Sequence, residues 1–157
     1  MSDASYLSLE ELRARRQELQ RRDDAVSYVR RVAQGRADLA RAELARRATQ
    51  GAPELTEGLR QVLGDRLLGA SDRPPRPADD FSDDPLAEEL DRLCAGRGFG
   101  RMAELEDDAV AELAAALEAF EGEVSDERHQ LFAELDDLSD ELVRRYREQQ
   151  PSGNPEE

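Results

Sequence analysis

Residues 8–47 read SLEELRARRQELQRRDDAVSYVRRVAQGRADLARAELARR, and this stretch decides the fold. It contains no proline and a single glycine, Gly35, and is built from Ala, Leu, Arg and Glu, all strong helix formers. Ser8 and Glu11 have capping-box spacing, which satisfies two of the orphan amide donors at a helix start. Leu12, Leu19, Val26, Ala33 and Ala40 recur every seven residues, the signature of a coiled-coil seam. The pattern predicts a long helix over 7–48, roughly 60 Å in length at about 1.5 Å per residue.

Working outward, the same signal returns near the other end of the chain. Val110, Leu117, Val124, Leu131 and Leu138 again recur every seven residues, predicting a second long helix over 107–149, opening near Asp107 or Asp108. The connection, 49–103, reads as a linker with two short helices. One spans about 53–69, where Leu55, Leu59, Val62, Leu63 and Leu67 have helical spacing. The other spans about 85–95, with Asp84 as cap, Pro85 at the first helical position, and an apolar face of Leu86, Leu90, Leu93 and Cys94. Residues 71–84 (SDRPPRPADDFSDD) form a proline-rich acidic linker, GRGFG at 96–100 a loop, and residues 150–157 a disordered tail. The expected fold is all-α: a single helical domain over 1–157, a long antiparallel two-helix coiled-coil hairpin with one or two short helices in the connection.

Composition agrees with narrow seams rather than a thick core. Of the 157 residues 38% are charged and only 4% aromatic, with no tryptophan. The net charge of −15 is uneven: residues 1–50 carry +3, 51–100 carry −5 and 101–157 carry −13. So acidic a chain is repelled by nucleic acid and by anionic membrane, and suits a basic protein partner. Lysine is absent, so every fixed cation is an arginine, as a GC-rich genome would also produce. One cysteine, Cys94, rules out an internal disulfide or a multi-cysteine zinc site. The start, MSDASYLSLEE, lacks a basic region followed by an apolar run, and no segment is long enough to span a bilayer; the expected location is cytoplasmic.

With the heptad rows above labelled d, the a rows are Leu9, Arg16, Asp23, Arg30, Ala37 and Leu44, and Ala114, Glu121, Arg128, Leu135 and Leu142. Both turn polar in mid-helix, where charge costs stability. Sliding the chain on itself by 98 residues lays Val26 on Val124, Ser27 on Ser125, Arg30 on Arg128 and Asp38 on Asp136. Glu43-Leu44-Ala45-Arg46-Arg47 falls on Glu141-Leu142-Val143-Arg144-Arg145, and Asp23 on Glu121. Gln34 against Phe132 is the break in the stripe. The repeated line is therefore Asp23, Ser27, Arg30, Gln34 and Asp38, then Glu121, Ser125, Arg128, Phe132 and Asp136, within roughly an 80° sector of each helix.

Such a line offers acceptor, hydroxyl, guanidinium and second acceptor, with an amide in the first copy. A guanidinium donates to guanine O6 and N7 or stacks on the base, and a carboxylate accepts from guanine N1–H and N2–H. A good bidentate contact carries roughly 1–3 kcal/mol of discrimination. If the helices pair antiparallel, the stripes are related by a pseudo-two-fold axis, which suits a two-fold ligand with two guanines. The alternative is structural: polar a positions fix register and partner choice, with Asp23 or Glu121 pairing to an arginine across the seam.

At this stripe the sequence resembles the RsiG family, cyclic di-GMP-responsive anti-sigma factors of sporulating bacteria, which carry E-x3-S-x2-R-x3-Q-x3-D on two helices of a coiled coil. The copies here are DDAVSYVRRVAQGRAD from Asp23 and EGEVSDERHQLFAELD from Glu121. LSLEELRARR before the first copy, SYVRRVAQGRADLARAEL across it and ELVRRYRE near the end look like the family too, and the resemblance weakens through 50–100. Asp23 departs from the usual Glu and Phe132 from the usual Gln. The resemblance implies an intercalated dimer of cyclic di-GMP along the helix pair, two nucleotides per chain. It further implies that a WhiG-like sigma factor is held as a heterodimer until the nucleotide falls, which represses sporulation genes. On this reading Arg30 and Arg128 recognise guanine or phosphate. Asp23, Asp38, Glu121 and Asp136 accept from guanine edges, and Ser27, Ser125 and Gln34 add hydrogen bonds. Residues Leu55–Leu68 and Leu86–Leu93 would help grip the partner. Two stripes in one chain imply a monomeric ligand site.

No enzyme is expected. His129, the single histidine, falls at an outward b position without a metal-ligating neighbour. Cys94 reads as filler on a short helix with no base nearby, and Arg97-Gly98-Phe99-Gly100 lacks the strand and continuation of an RNA-binding motif. There is no glycine-rich phosphate cradle and no nucleophile elbow. The rival to a nucleotide-dependent anti-sigma factor is a coiled-coil adaptor whose polar stripe fixes helix register.

Overall fold

A computed structural model describes residues 4–49 and 80–149. Helix α1 spans Leu9–Ala48, α2 spans Pro85–Gly96 and α3 spans Asp107–Gln149. Short 3-10 turns at Ala4–Tyr6 and Phe99–Glu104 precede the two long helices. No strand occurs among the described residues. The short helix expected near 53–69, most of the proline-rich linker and the 150–157 tail lie outside the described residues. The stretch read as a loop at 96–100 instead runs into the second 3-10 turn. Gly98, in the left-handed region at φ 74°, makes the corner; an added Cβ there would sit 3.2 Å from the Leu105 side chain.

The ends of these helices are written in their capping residues. Ser8 N–H donates to Glu11 at 2.7 Å and Glu11 N–H donates to Ser8 Oγ at 3.2 Å, closing a capping box at the start of α1. Asp84 accepts from Leu86 N–H at 2.9 Å, with Pro85 filling a position whose N–H would have no helical partner. Acidic Asp107 and Asp108 open α3, and Arg46 and Arg47 close α1, each charge set against the helix dipole.

The chain forms two compact units, one of Met1–Ser27 with Ser125–Glu157 and one of Tyr28–Val124. Within each, α1 and α3 pack antiparallel. In the first unit Arg13 pairs with Tyr146, Arg15 with Glu134 and Arg22 with Glu127. In the second, Arg30 pairs with Glu121, Arg41 with Glu118 and Arg47 with Asp107. All ten residues of the expected d rows are buried, from Leu12 at 0% to Leu131 at 8% exposed. The all-α fold with two long antiparallel helices is therefore the one observed. Helix α2 adds a further contact in the second unit. Its buried Ala87, Leu90 and Cys94 face α1, and a cavity of about 130 Å³ is lined by Tyr28, Val29, Val32 and Arg36 together with Ala87, Leu90 and Asp91. Arg36 fastens this helix, 2.8 Å from Asp91, 3.3 Å from Cys94 Sγ and 5.8 Å from the Phe99 ring centre.

Candidate functional site

Four of the polar a positions, Asp23, Arg30, Glu121 and Arg128, meet across the helix pair in two clusters, one in each unit, while Arg16 is exposed. In the Tyr28–Val124 unit, Arg30 Nη1 donates to Glu121 Oε1 at 3.3 Å and Gln34 Nε2 donates to the same oxygen at 3.0 Å. The side chains of Arg30 and Glu121 are each about a quarter exposed. Beside them is an open groove of about 410 Å³ lined by Arg31, Gln34, Ala37, Asp38, Arg41, Glu118 and Glu121. Arg41 borders it, 3.2 Å from Asp38 and 2.5 Å from Glu118.

In the other unit, Arg128 Nε stands 3.5 Å from Asp23 Oδ1. The Arg128 guanidinium carbon is 4.6 Å from the centre of the Phe132 ring, a stacked cation–π contact. Ser27 is buried beside Val26, Ser125 is half-buried and Asp136 is exposed. Thus the structure joins Asp23 with Arg128 and Phe132, and Arg30 with Gln34 and Glu121. Among the described residues Ser27, Ser125 and Asp136 make no side-chain hydrogen bond with the protein.

Both clusters are short of hydrogen bonds. Arg30 Nε, Arg128 Nε and Asp23 Oδ1 are buried without a hydrogen bond, the last two forming only the 3.5 Å ion pair with each other. Leaving such groups unmade costs about 1–3 kcal/mol each, and buried polar atoms are satisfied in most proteins. Two donors and one acceptor therefore stand ready in the seam for groups of opposite kind. Among the described residues no group of three or more His, Cys, Asp or Glu has the geometry to hold a metal ion. No helix among them is long and apolar enough to cross a membrane.

A second duplicated feature lies at the helix ends, and sequence reading gave it no role. Arg47 donates to the carbonyl oxygens of Leu105 (2.7 Å), Met102 (3.1 Å) and Ala103 (3.3 Å). Arg145 donates to those of Leu7, Ala4 (3.0 Å) and Ser5 (3.0 Å). Every member of one set lies 98 residues from its counterpart in the other, as do the starts of α1 and α3, Leu9 and Asp107. The duplication thus reaches back into the 3-10 turns, where side chains no longer match but backbone acceptors do. Glu43, buried at 3% exposed, aims this machinery: its carboxylate is held down to about 2 by hydrogen bonds from Arg46 and then Arg47, against the opposing effect of burial. Glu141 is likewise held down to about 2 by Arg144 and Arg145. The repeated Glu-Leu-x-Arg-Arg at 43–47 and 141–145 was the available signal, but sequence does not show backbone targets.

Taken together, fold and clusters define a class: an all-α protein of two long antiparallel helices with duplicated arginine–carboxylate clusters let into an otherwise apolar seam. Residues 1–63 match the RsiG family model, described as RsiG-like, so this N-terminal part is similar to that family. The matched residues include the whole first stripe, Asp23 to Asp38. That likeness points to an anti-sigma factor type of role, with a sigma factor as partner in general. No curated protein matches the chain.

Proposed function

We propose that this protein is a cytoplasmic anti-sigma factor that binds cyclic di-GMP through its two polar clusters and, so loaded, sequesters a WhiG-like sigma factor, repressing sporulation genes. It acts by binding and not by catalysis. The observation that carries this reading is the set of unsatisfied buried atoms, Arg30 Nε, Arg128 Nε and Asp23 Oδ1, in seam positions of a repeated stripe. Guanine supplies what they lack: acceptors at O6 and N7 for a guanidinium, and donors at N1–H and N2–H for a carboxylate. Ser27, Ser125, Asp38 and Asp136 extend the polar line on either side, and Gln34 adds an amide. In the free chain Glu121 accepts from Arg30 and Gln34, so a base entering there exchanges one acceptor for another and never strands the arginine. The net charge of −15 suits a basic partner such as the DNA-binding faces of a sigma factor.

A register-fixing adaptor is the second reading, favoured by the Arg30–Glu121 and Asp23–Arg128 pairs across the helices. Calorimetric titration with cyclic di-GMP, with and without a WhiG-like sigma factor, separates the two. Saturable binding near two nucleotides per chain, lost in Arg30→Ala and Arg128→Ala, is the expected result. Absence of heat in both titrations, with helices intact by circular dichroism, would leave the adaptor.

A further inference from the structure

The 98-residue shift sets Gln34 opposite Phe132, and the geometry of the clusters gives that exchange a chemical meaning. In the Arg30 cluster, amide and guanidinium converge on one oxygen of Glu121 at 3.0 and 3.3 Å. In the Arg128 cluster Phe132 has no donor to contribute, and its ring covers the guanidinium at 4.6 Å. The carboxylate there is also one methylene shorter: Asp23 stops 3.5 Å from Nε. Arg128 Nε and Asp23 Oδ1 are thereby left as a buried ion pair in which neither atom has a hydrogen bond, beside an aromatic ring that is 38% exposed.

We propose that the Arg128–Phe132–Asp23 cluster takes a purine base by stacking and accepts adenine nearly as well as guanine, while the Arg30–Gln34–Glu121 cluster reads the guanine edge. This rests on the cyclic dinucleotide reading above. One donor beside one acceptor matches a pair that both purines display: N7 with the N6 amino group on adenine, and O6 with N1–H on guanine. Selecting guanine over adenine needs a further polar group, and the residue standing where the amide stands in the other copy is a phenylalanine. Stacking on an aromatic face holds any base, because every base has a π face. Affinity is therefore kept at this cluster while discrimination is given up.

The test is calorimetric titration of the intact chain, as wild type, Phe132→Ala and Phe132→Gln, with cyclic di-GMP and with the mixed guanine–adenine cyclic dinucleotide. Phe132 is surface-accessible, so neither substitution threatens the fold, and circular dichroism checks this. The wild type is expected to separate the two ligands by less than about threefold. Phe132→Gln should widen the gap to about tenfold or more, the scale of one base-edge contact. Phe132→Ala should weaken both ligands by about tenfold or more, the scale of a lost stacking contact. The proposal falls alone if cyclic di-GMP binds but Phe132→Ala binds like wild type, or if the wild type already rejects the mixed ligand tenfold. Binding of neither nucleotide by the wild type would overturn the proposal together with the reading beneath it.

Discussion

Exchanging Arg30 and Glu121 together for apolar residues, as Arg30→Met with Glu121→Leu, distinguishes a ligand site from a register lock. The two side chains face each other at 3.3 Å, each about a quarter exposed, on helices whose seam residues Ala33, Leu117 and Val124 in the same unit are buried. A pair this open to water contributes about 0–1 kcal/mol. Against that stands the buried, unpaired Arg30 Nε, a desolvation cost of about 1 kcal/mol or more. The double exchange removes both effects and adds apolar burial at about 25 cal/mol per Å². Replacement of fully buried ion pairs in this way is often neutral or stabilising by about 1–4 kcal/mol, and the partial exposure here places the expected gain near 1 kcal/mol. Gln34 loses its acceptor but is half-exposed and reaches water. In a chain of this length the thermal midpoint should rise about 2–4 °C, followed by far-ultraviolet circular dichroism. Glu121→Leu alone, which leaves Arg30 uncompensated in the seam, should lower it. The same double variant should bind no cyclic di-GMP at its Arg30 cluster. A midpoint several degrees below wild type would refute the reasoning, because the pair would then be holding the helices together.

Three other expectations follow from the packing. Glu43 and Glu141, both held down to about 2 from an ordinary value of 4.5, bind protons less readily folded than unfolded. Their contribution is complete above that ordinary value and is lost as pH falls from about 4.5 toward about 2. The double variant Glu43→Gln/Glu141→Gln should flatten stability across that window, and a wild-type slope there would count against the clamps. Gly122→Ala should stabilise α3 by about 1 kcal/mol, since an added Cβ meets nothing within 4 Å; urea unfolding with an unchanged slope would show it, and a loss would mean an unseen constraint at that position. Leu90 is 1% exposed, so Leu90→Ala should cost about 2–5 kcal/mol of local packing and speed labelling of the buried Cys94 by a thiol reagent. Unchanged labelling would mean that α2 is held by something other than this contact.

The long helices were legible because a coiled-coil seam is written in the chain at a fixed period: Leu12 to Ala40 and Val110 to Leu138 are spaced by seven and all are buried. The capping residues Ser8, Glu11, Asp84 and Pro85 were legible for the same reason, since their chemistry is local. What α2 packs against was harder to see, although Tyr28, Val29 and Val32 lie off the seam, and apolar residues there call for another neighbour. The polar stripe could be read as one line per helix, but which carboxylate meets which arginine depends on the relative slide of two chain segments about a hundred residues apart. Hence the sharing of Glu121 by Arg30 and Gln34, and the stack of Arg128 on Phe132, emerge only in three dimensions. Arg47 and Arg145 were hidden further still, because their targets are main-chain atoms that every sequence possesses.

That choice of target has an evolutionary consequence. A joint made to carbonyl oxygens asks nothing of the side chains it grips, so Ser5, Met102 and Ala103 are free to drift while the grip persists. The two copies have done so: Ala4-Ser5 and Met102-Ala103 share no residue identity in register, yet present the same acceptors to Arg145 and Arg47. Selection is thereby concentrated on two guanidiniums and the two glutamates that aim them. At Ser5, Met102 and Ala103 the segments leading into the long helices can therefore change without loosening this grip.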